Sequence, residues 1–332
     1  MSDISTRTRL PTELLRIIIL DYLTAIREEH GSKDVSRTSY KAPWYMVEPL
    51  ILTSRICRRL ALEGWFEVYF AHSPNDLLEV WPEFSIWAKE LHCVELGKDS
   101  HILPVMQWNL MSFHRLHKLR VDFEPANPNA MLLLRFDYPR NIASQLQELE
   151  LHDISWPSPM PLTVVANAFH GLRVLKMSQD LIWCDLCNIC SFATFRDHPP
   201  EEIVYEKIVG LPTHYTTILK RLTRLQTVIL TVGYGLGGSV SLADNNNMMW
   251  SGECDACMDV MYSSMEYCEE RIARKAMDRP PSLQSVIWRF RQKDPADVVM
   301  DFEDEPELYA QPEGAAGEEA DTGGMTFPSS DD

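Results

Sequence analysis

Long apolar runs are missing from this chain. The longest, "IIIL" and "MLLL" among them, fall far short of the roughly 20 residues that span a bilayer. The opening "MSDISTRTRL" has no apolar segment of the secretory type. The expectation is a soluble chain of the cytoplasm or nucleus with no membrane partner. Catalytic signatures are missing too. There is no Ser-His-Asp order, nucleophile elbow or HExxH, which predicts a protein that is not an enzyme. Positive charge is scarce as well: the net charge is −17, with 31 Lys and Arg against 48 Asp and Glu. Residues 294–332 hold 13 of the acids and no Lys or Arg, so the rest carries −17 + 13 = −4. The folded part is expected to be close to neutral, with no basic stripe of the kind that holds a phosphate backbone, and no nucleic-acid partner is expected.

What is present is ordinary globular material: 332 residues, 45% hydrophobic and 24% charged, enough for a large core or two domains. Three regions separate after a disordered N-terminus at 1–7. The first, 8–72, reads as helical. In "LPTELLRIIILDYL", Leu14, Leu15, Ile18 and Tyr22 recur at helical spacing, and Pro11 suits a first helical turn. Ile17, Ile19, Leu20 and Leu23 make this helix apolar nearly all round. It therefore needs either a partner surface or cover from the rest of the chain. A polar insertion at 24–44 follows. Helical spacing then resumes through "YMVEPLILTSRICRRLALEGWFEVYF", with Gly64 as the expected break.

The second region, 73–291, repeats one pattern: apolar, two spacers, apolar, one spacer, apolar. It occurs as "LHCVEL", "LHKLRV", "LQELEL", "LRVLKM", "LQTVIL" and "LQSVIW", beginning at Leu91, Leu116, Leu146, Leu172, Leu225 and Leu283. The spacings are 25, 30, 26, 53 and 58. They lie near one or two times the leucine-rich-repeat period of about 20–29 residues. Each unit would add a short strand with alternate side chains turned inward, stacked on its neighbour. "PTHYTTILKRL" and "SMEYCEERIARKAM" read as return helices. The predicted fold class is α/β: a short helical segment, an irregular leucine-rich-repeat solenoid, and a disordered acidic tail over 292–332.

The first two regions resemble the F-box-like proteins of the leucine-rich-repeat type found in mushroom-forming (basidiomycete) fungi. "LPTELLRIIILDYL" resembles the opening helix of the F-box, and "LTSRICRRLALEGWFEVYF" its later part. "CDLCN", "ECDAC" and the "RPPSLQSVIW" start of the last repeat are similar to segments of those proteins. An ordinary F-box links its first two helices closely; here 24–44 intervene, either as a harmless loop or across the docking face. The resemblance implies the substrate-recognition subunit of a cullin-type ubiquitin ligase. Its partners would be a Skp-type adaptor, bound through the helices, and a protein substrate, held by the repeats. On matching positions the adaptor contacts would be Leu10, Pro11, Leu14, Leu15, Ile18, Leu52 and Ile56, with Cys57 in the same motif core.

Eight cysteines in a reducing compartment lean toward metal or redox chemistry. Cys184, Cys187, Cys254 and Cys257 form two CxxC pairs 66 residues apart, against about 15–20 in a compact zinc module. They could hold one structural zinc, with Cys190, His198 and Cys268 as substitute ligands. They could instead be packed or exposed free thiols; a dithiol redox pair comes last, since neither pair sits at a helix start after a strand as a thioredoxin-type CxxC does. The two segments can meet only if the strands of Leu172 and Leu225 are neighbours. The glycines of "TVGYGLGGSV" follow a strand, but no helix opening on a Lys-Ser/Thr pair follows them, so a flexible loop is expected. His114, His117, His152 and His170 read as surface or capping residues.

Overall fold

The structure is a computed structural model. It describes residues 10–30, 43–94, 107–123, 134–154, 160–184, 186–187, 189–206, 210–239, 241–242, 250–254, 256–258 and 264–293. The expected N-terminal and acidic tails, Cys268 and Cys190 as side chains, and most of the 24–44 insertion lie outside the described residues.

The chain begins with three helices: α1 (Thr12–His30), α2 (Trp44–Thr53) and α3 (Arg55–Trp65). α1 continues through Thr24 to His30, so the first part of the expected insertion is helix. Ser54 separates α2 from α3 and caps the latter, its hydroxyl accepting from the Cys57 N–H at 3.1 Å. The helices share a small core of Ile19, Leu23 and Ile26 from α1 with Val47, Leu60 and Ala61. Gly64 is not the expected break. It is buried in the last turn of α3, where an added Cβ would lie 2.7 Å from Leu23 Cδ1 and 2.8 Å from Leu20 Cδ2. Its missing side chain is what lets α3 approach α1 so closely.

"WFEVYF" is divided: Trp65 is the last residue of α3, and Val68, Tyr69 and Phe70 enter strand β1 (Val68–Ala71). The other strands are β2 (Glu90–Val94), β3 (Gln107–Asn109), β4 (Lys118–Asp122), β5 (Arg135–Asp137), β6 (Glu148–Ile154), β7 (Val174–Gln179), β8 (Leu181–Cys184), β9 (Ile189–Phe195), β10 (Glu202–Glu206), β11 (Thr227–Leu236) and β12 (Ser285–Gln292). Further helices are α4 (Pro82–Trp87), α5 (Arg140–Gln145), α6 (Met160–Ala168), α7 (Thr213–Leu219) and α8 (Met265–Asp278). The last two are the anticipated return helices.

Ten strands form one sheet in the order β1-β2-β4-β6-β7-β11-β12-β10, with β9 and then β8 joined at the side of β11. Neighbours from β1 to β12 run parallel; β10 is antiparallel to β12, and β8 to β9. The protein is thus an α/β fold on an open, mostly parallel ten-stranded sheet, not a leucine-rich-repeat solenoid. In a solenoid each unit extends one growing end. Here β10 precedes β11 in the chain yet lies outside β12 in the opposite direction, and the β8–β9 hairpin branches from the stack. The first hexapeptide is also out of phase. Leu91 pairs with Leu119, which pairs with Leu149, so Leu91 aligns with these and not with Leu116 and Leu146, and the true equivalents are Ala88, Leu91 and Cys93.

The two sheet faces follow from strand alternation. Leu91, Leu119, Leu149, Leu175, Val228 and Val286 form one register row in the main core. The spacers between them build a charged ladder on the opposite face. Lys118 Nζ lies 3.0 Å from Glu90 and 3.1 Å from Glu150, and Lys176 Nζ lies 2.7 Å from Glu150. The Arg120 guanidinium donates to Asp122 at 2.6 and 2.9 Å, with both residues buried. Paired this way, buried charges keep partners for what they lose in hydration.

Candidate metal centre and exposed helical face

β7 and β11 are parallel neighbours, with Leu175 opposite Val228. The segments that follow them therefore emerge on the same side. After β7 the chain turns into the β8–β9 hairpin, which carries Cys184 at the end of β8 and Cys187 in the turn. β9 then pairs with the far end of β11, Ala193 opposite Tyr234. The second segment is anchored by Trp250. Its buried ring lies 4.6 Å from Trp288 and 5.7 Å from Phe195, centroid to centroid, and its Nε1–H donates to the Glu253 carbonyl at 2.9 Å. The Glu253 carboxylate accepts from the Ser251 N–H and hydroxyl. Gly252 has φ +96°, a left-handed conformation that favours glycine, and a Cβ there would come within 2.9 Å of Ile182. These contacts turn Cys254 and Cys257 toward the hairpin.

The four sulfurs lie within 4.8 Å of one another, and Cys187 Sγ is 3.8 Å from Cys254 Sγ. Four thiolates about 2.3 Å from a tetrahedral ion stand about 3.8 Å apart, so the spacing fits a single ion. An iron–sulfur cluster interposes bridging sulfides and holds its cysteines farther apart. Cys184 is buried and the other three are half-buried. Burial pushes the Cys184 thiol up to about 11, although N–H groups of Cys254, Cys187 and Leu186 favour its thiolate; the Cys254 N–H lies 3.5 Å from the sulfur. Burial, followed by hydrogen bonds with the other three cysteines, pushes Cys257 up further. Four thiolates this close repel one another, and a cation is what would let them ionise together. The four-cysteine cluster could thus hold a metal ion such as zinc.

The other sequence-based candidates fall elsewhere. His198 is hydrogen-bonded to the Tyr234 hydroxyl at 3.2 Å and is not part of the cluster. Gly233 and Gly235 lie inside β11, so that stretch is strand rather than flexible loop. His114, His117 and His170 are exposed, but His152 is buried beside Glu150. Trp250 and Glu253, which aim the second cysteine pair, have no counterpart in a CxxC pattern. An apolar side chain and an acid just before the pair were the only local signal.

The helices present the second candidate site. Leu14, Ile18 and Tyr22 form a stripe on α1 at a spacing of four and are 48%, 54% and 41% exposed. Leu10, Ile17, Leu52 and Ile56 are exposed as well, and Pro11 is solvent-facing. Leu15 differs: it is half-buried against the helical core, as is Cys57. No helix among the described residues is long and apolar enough to cross a membrane. Compared with known proteins, the chain matches no family model, no curated protein and no solved structure.

Proposed function

We propose that the protein is a non-catalytic substrate-recognition subunit of a cullin-type ubiquitin ligase. It docks on a Skp-type adaptor through α1–α3 and presents a protein substrate on the sheet unit. One observation carries this: Leu14 and Ile18 are exposed, with Tyr22 beside them reaching the Met46 carbonyl, while Ile19, Leu23 and Ile26 fill the helical core. A helix serving only to cap the sheet would turn its second apolar stripe against sheet residues. An exposed stripe, with Leu52 and Ile56 also exposed, instead offers apolar area to a partner. Such a subunit acts by raising the local concentration of its substrate beside the ubiquitin-charged enzyme. Pull-down with a purified Skp-type adaptor tests it. Capture by the wild-type chain and its loss in Leu14→Asp/Ile18→Asp, with unchanged thermal unfolding, is the expected result. No capture, or capture unaffected by the double substitution, refutes it.

The ion suited to the four cysteines is zinc in a closed, structural role. Thiolate sulfur favours it, and four protein ligands leave no position for a substrate. It would fasten the β8–β9 hairpin to the Trp250 segment. Native mass spectrometry of the full chain should find one zinc per molecule, absent from Cys184→Ser/Cys254→Ser.

A further inference from the structure

Contrary to the expectation from composition, the sheet assembles a basic stripe. Glu67 stands immediately before β1, and its carbonyl accepts the Lys89 N–H at 2.9 Å; beyond it, immediately before successive strands, stand Lys89, His117, Gln147, Arg173, Gln226 and Gln284. Each of the last five donates its backbone N–H to the carbonyl of the one before, at 2.8 Å. These residues therefore form one row along the N-terminal rim of the sheet. At about 4.8 Å per strand the row runs about 24 Å. Glu67, at the end of the row, is acidic and pairs with Lys89 at 2.9 Å; none of the six beyond it is acidic, nor is any residue two or three places before those six, in a chain with 48 acids. Arg115 and Arg224 sit two places before the row and extend the positive rim. Arg115, Arg173 and Arg224 are exposed and form no ion pair among the described residues. At one end the rim opens on a cleft of about 340 Å³ lined by Arg16, Glu63, Glu67, Trp87, Lys89 and Arg115. There Glu63 pairs with Arg16 and Glu67 with Lys89, which leaves Arg115 as the unpaired charge.

We propose that this rim binds an extended acidic segment of a partner protein. The guanidinium groups attract carboxylates and can bind them bidentately. The interleaved glutamine amides offer both donors and acceptors, which suits a peptide backbone better than a row of phosphates. Among the described residues the rim offers no row of exposed aromatic rings on which bases could stack, as single-stranded nucleic acid requires. Seven or eight extended residues at about 3.3 Å each would span the row. This names the substrate class for the function proposed above and rests on that function only in treating the bound protein as cargo; the rim itself contains none of the adaptor-docking residues.

Fluorescence anisotropy with the full-length chain tests it. The probe is a labelled twelve-residue peptide of Asp, Glu and Ser. Comparators are the same peptide with Asn and Gln replacing the acids, and a twelve-nucleotide single-stranded DNA. The acidic peptide should bind, more weakly as salt rises. Arg115→Gln, Arg173→Gln and Arg224→Gln should each weaken it about two- to fivefold, and the triple variant more than tenfold with unchanged thermal unfolding. No binding of the acidic peptide, equal binding of the neutral one, stronger binding of the DNA, or an unaffected triple variant overturns the proposal. Leu14→Asp/Ile18→Asp should bind the peptide normally, which separates failure here from failure of adaptor docking.

Discussion

Metal affinity at the cysteine cluster should depend steeply on pH. Burial holds the Cys184 thiol at about 11 and raises Cys257 further, so in the metal-free protein both carry protons at neutral pH. Thiolate is the ligand, so the ion must displace at least these two protons. Each displaced proton changes the affinity tenfold per pH unit, and two change it about 100-fold. An ion at a thousand times its Kd at pH 8 stabilises the fold by about 4 kcal/mol. At pH 7 the same free concentration is about ten times Kd and contributes about 1.4 kcal/mol. Competition against a chromophoric chelator of known protonation, from pH 6 to 8, measures the slope directly. Thermal unfolding at fixed free zinc measures its consequence for stability. A slope below two protons per ion would show that the thiols are not held protonated by burial, and would remove the electrostatic argument for a cation there.

Other consequences are equally open to measurement. Burial raises the Glu90 carboxyl, but the bond from His92 and the charge of Lys118 outweigh it and hold the group at about 2. A depressed carboxyl stabilises the fold above its ordinary value near 4.5 and loses that contribution as pH falls toward 2. Urea titrations across this window should show a loss on the order of 3 kcal/mol, markedly smaller in Glu90→Gln. On α1, Leu23→Ala should cost about 2–5 kcal/mol, because Leu23 is 2% exposed. Leu14→Ala on the opposite stripe should stay within about 0.5 kcal/mol; equal losses would contradict the two-stripe assignment. Trp250→Ala should cost about 3–5 kcal/mol and weaken zinc retention, since the ring holds the second cysteine pair in place. Unchanged zinc content after dialysis would count against that anchoring role.

Local pattern sufficed for features governed by neighbours in the chain. The alternation around Leu119, Leu149, Leu175, Val228 and Val286 specifies strands because successive side chains point to opposite faces. The spacing in α1 specifies a helix, and each CxxC brings its own two sulfurs close. It misled where different packings satisfy one pattern. The hexapeptides fit a solenoid as well as an open sheet, and nothing within them records that β10 lies antiparallel beyond β12 or that β8–β9 branches away. "WFEVYF" straddles a boundary: Trp65 ends α3, and β1 exists because β2 is there to pair with it. Both apolar stripes of α1 are visible in the letters, but which one meets α2 and α3 is decided by packing against Val47, Leu60 and Gly64. Convergence of the cysteine pairs across 66 residues required β7 beside β11 and Trp250 buried against Trp288. The basic rim depends most completely on tertiary structure: Arg115, Arg173 and Arg224 are remote in the chain, and only the register of a parallel sheet sets them along one edge.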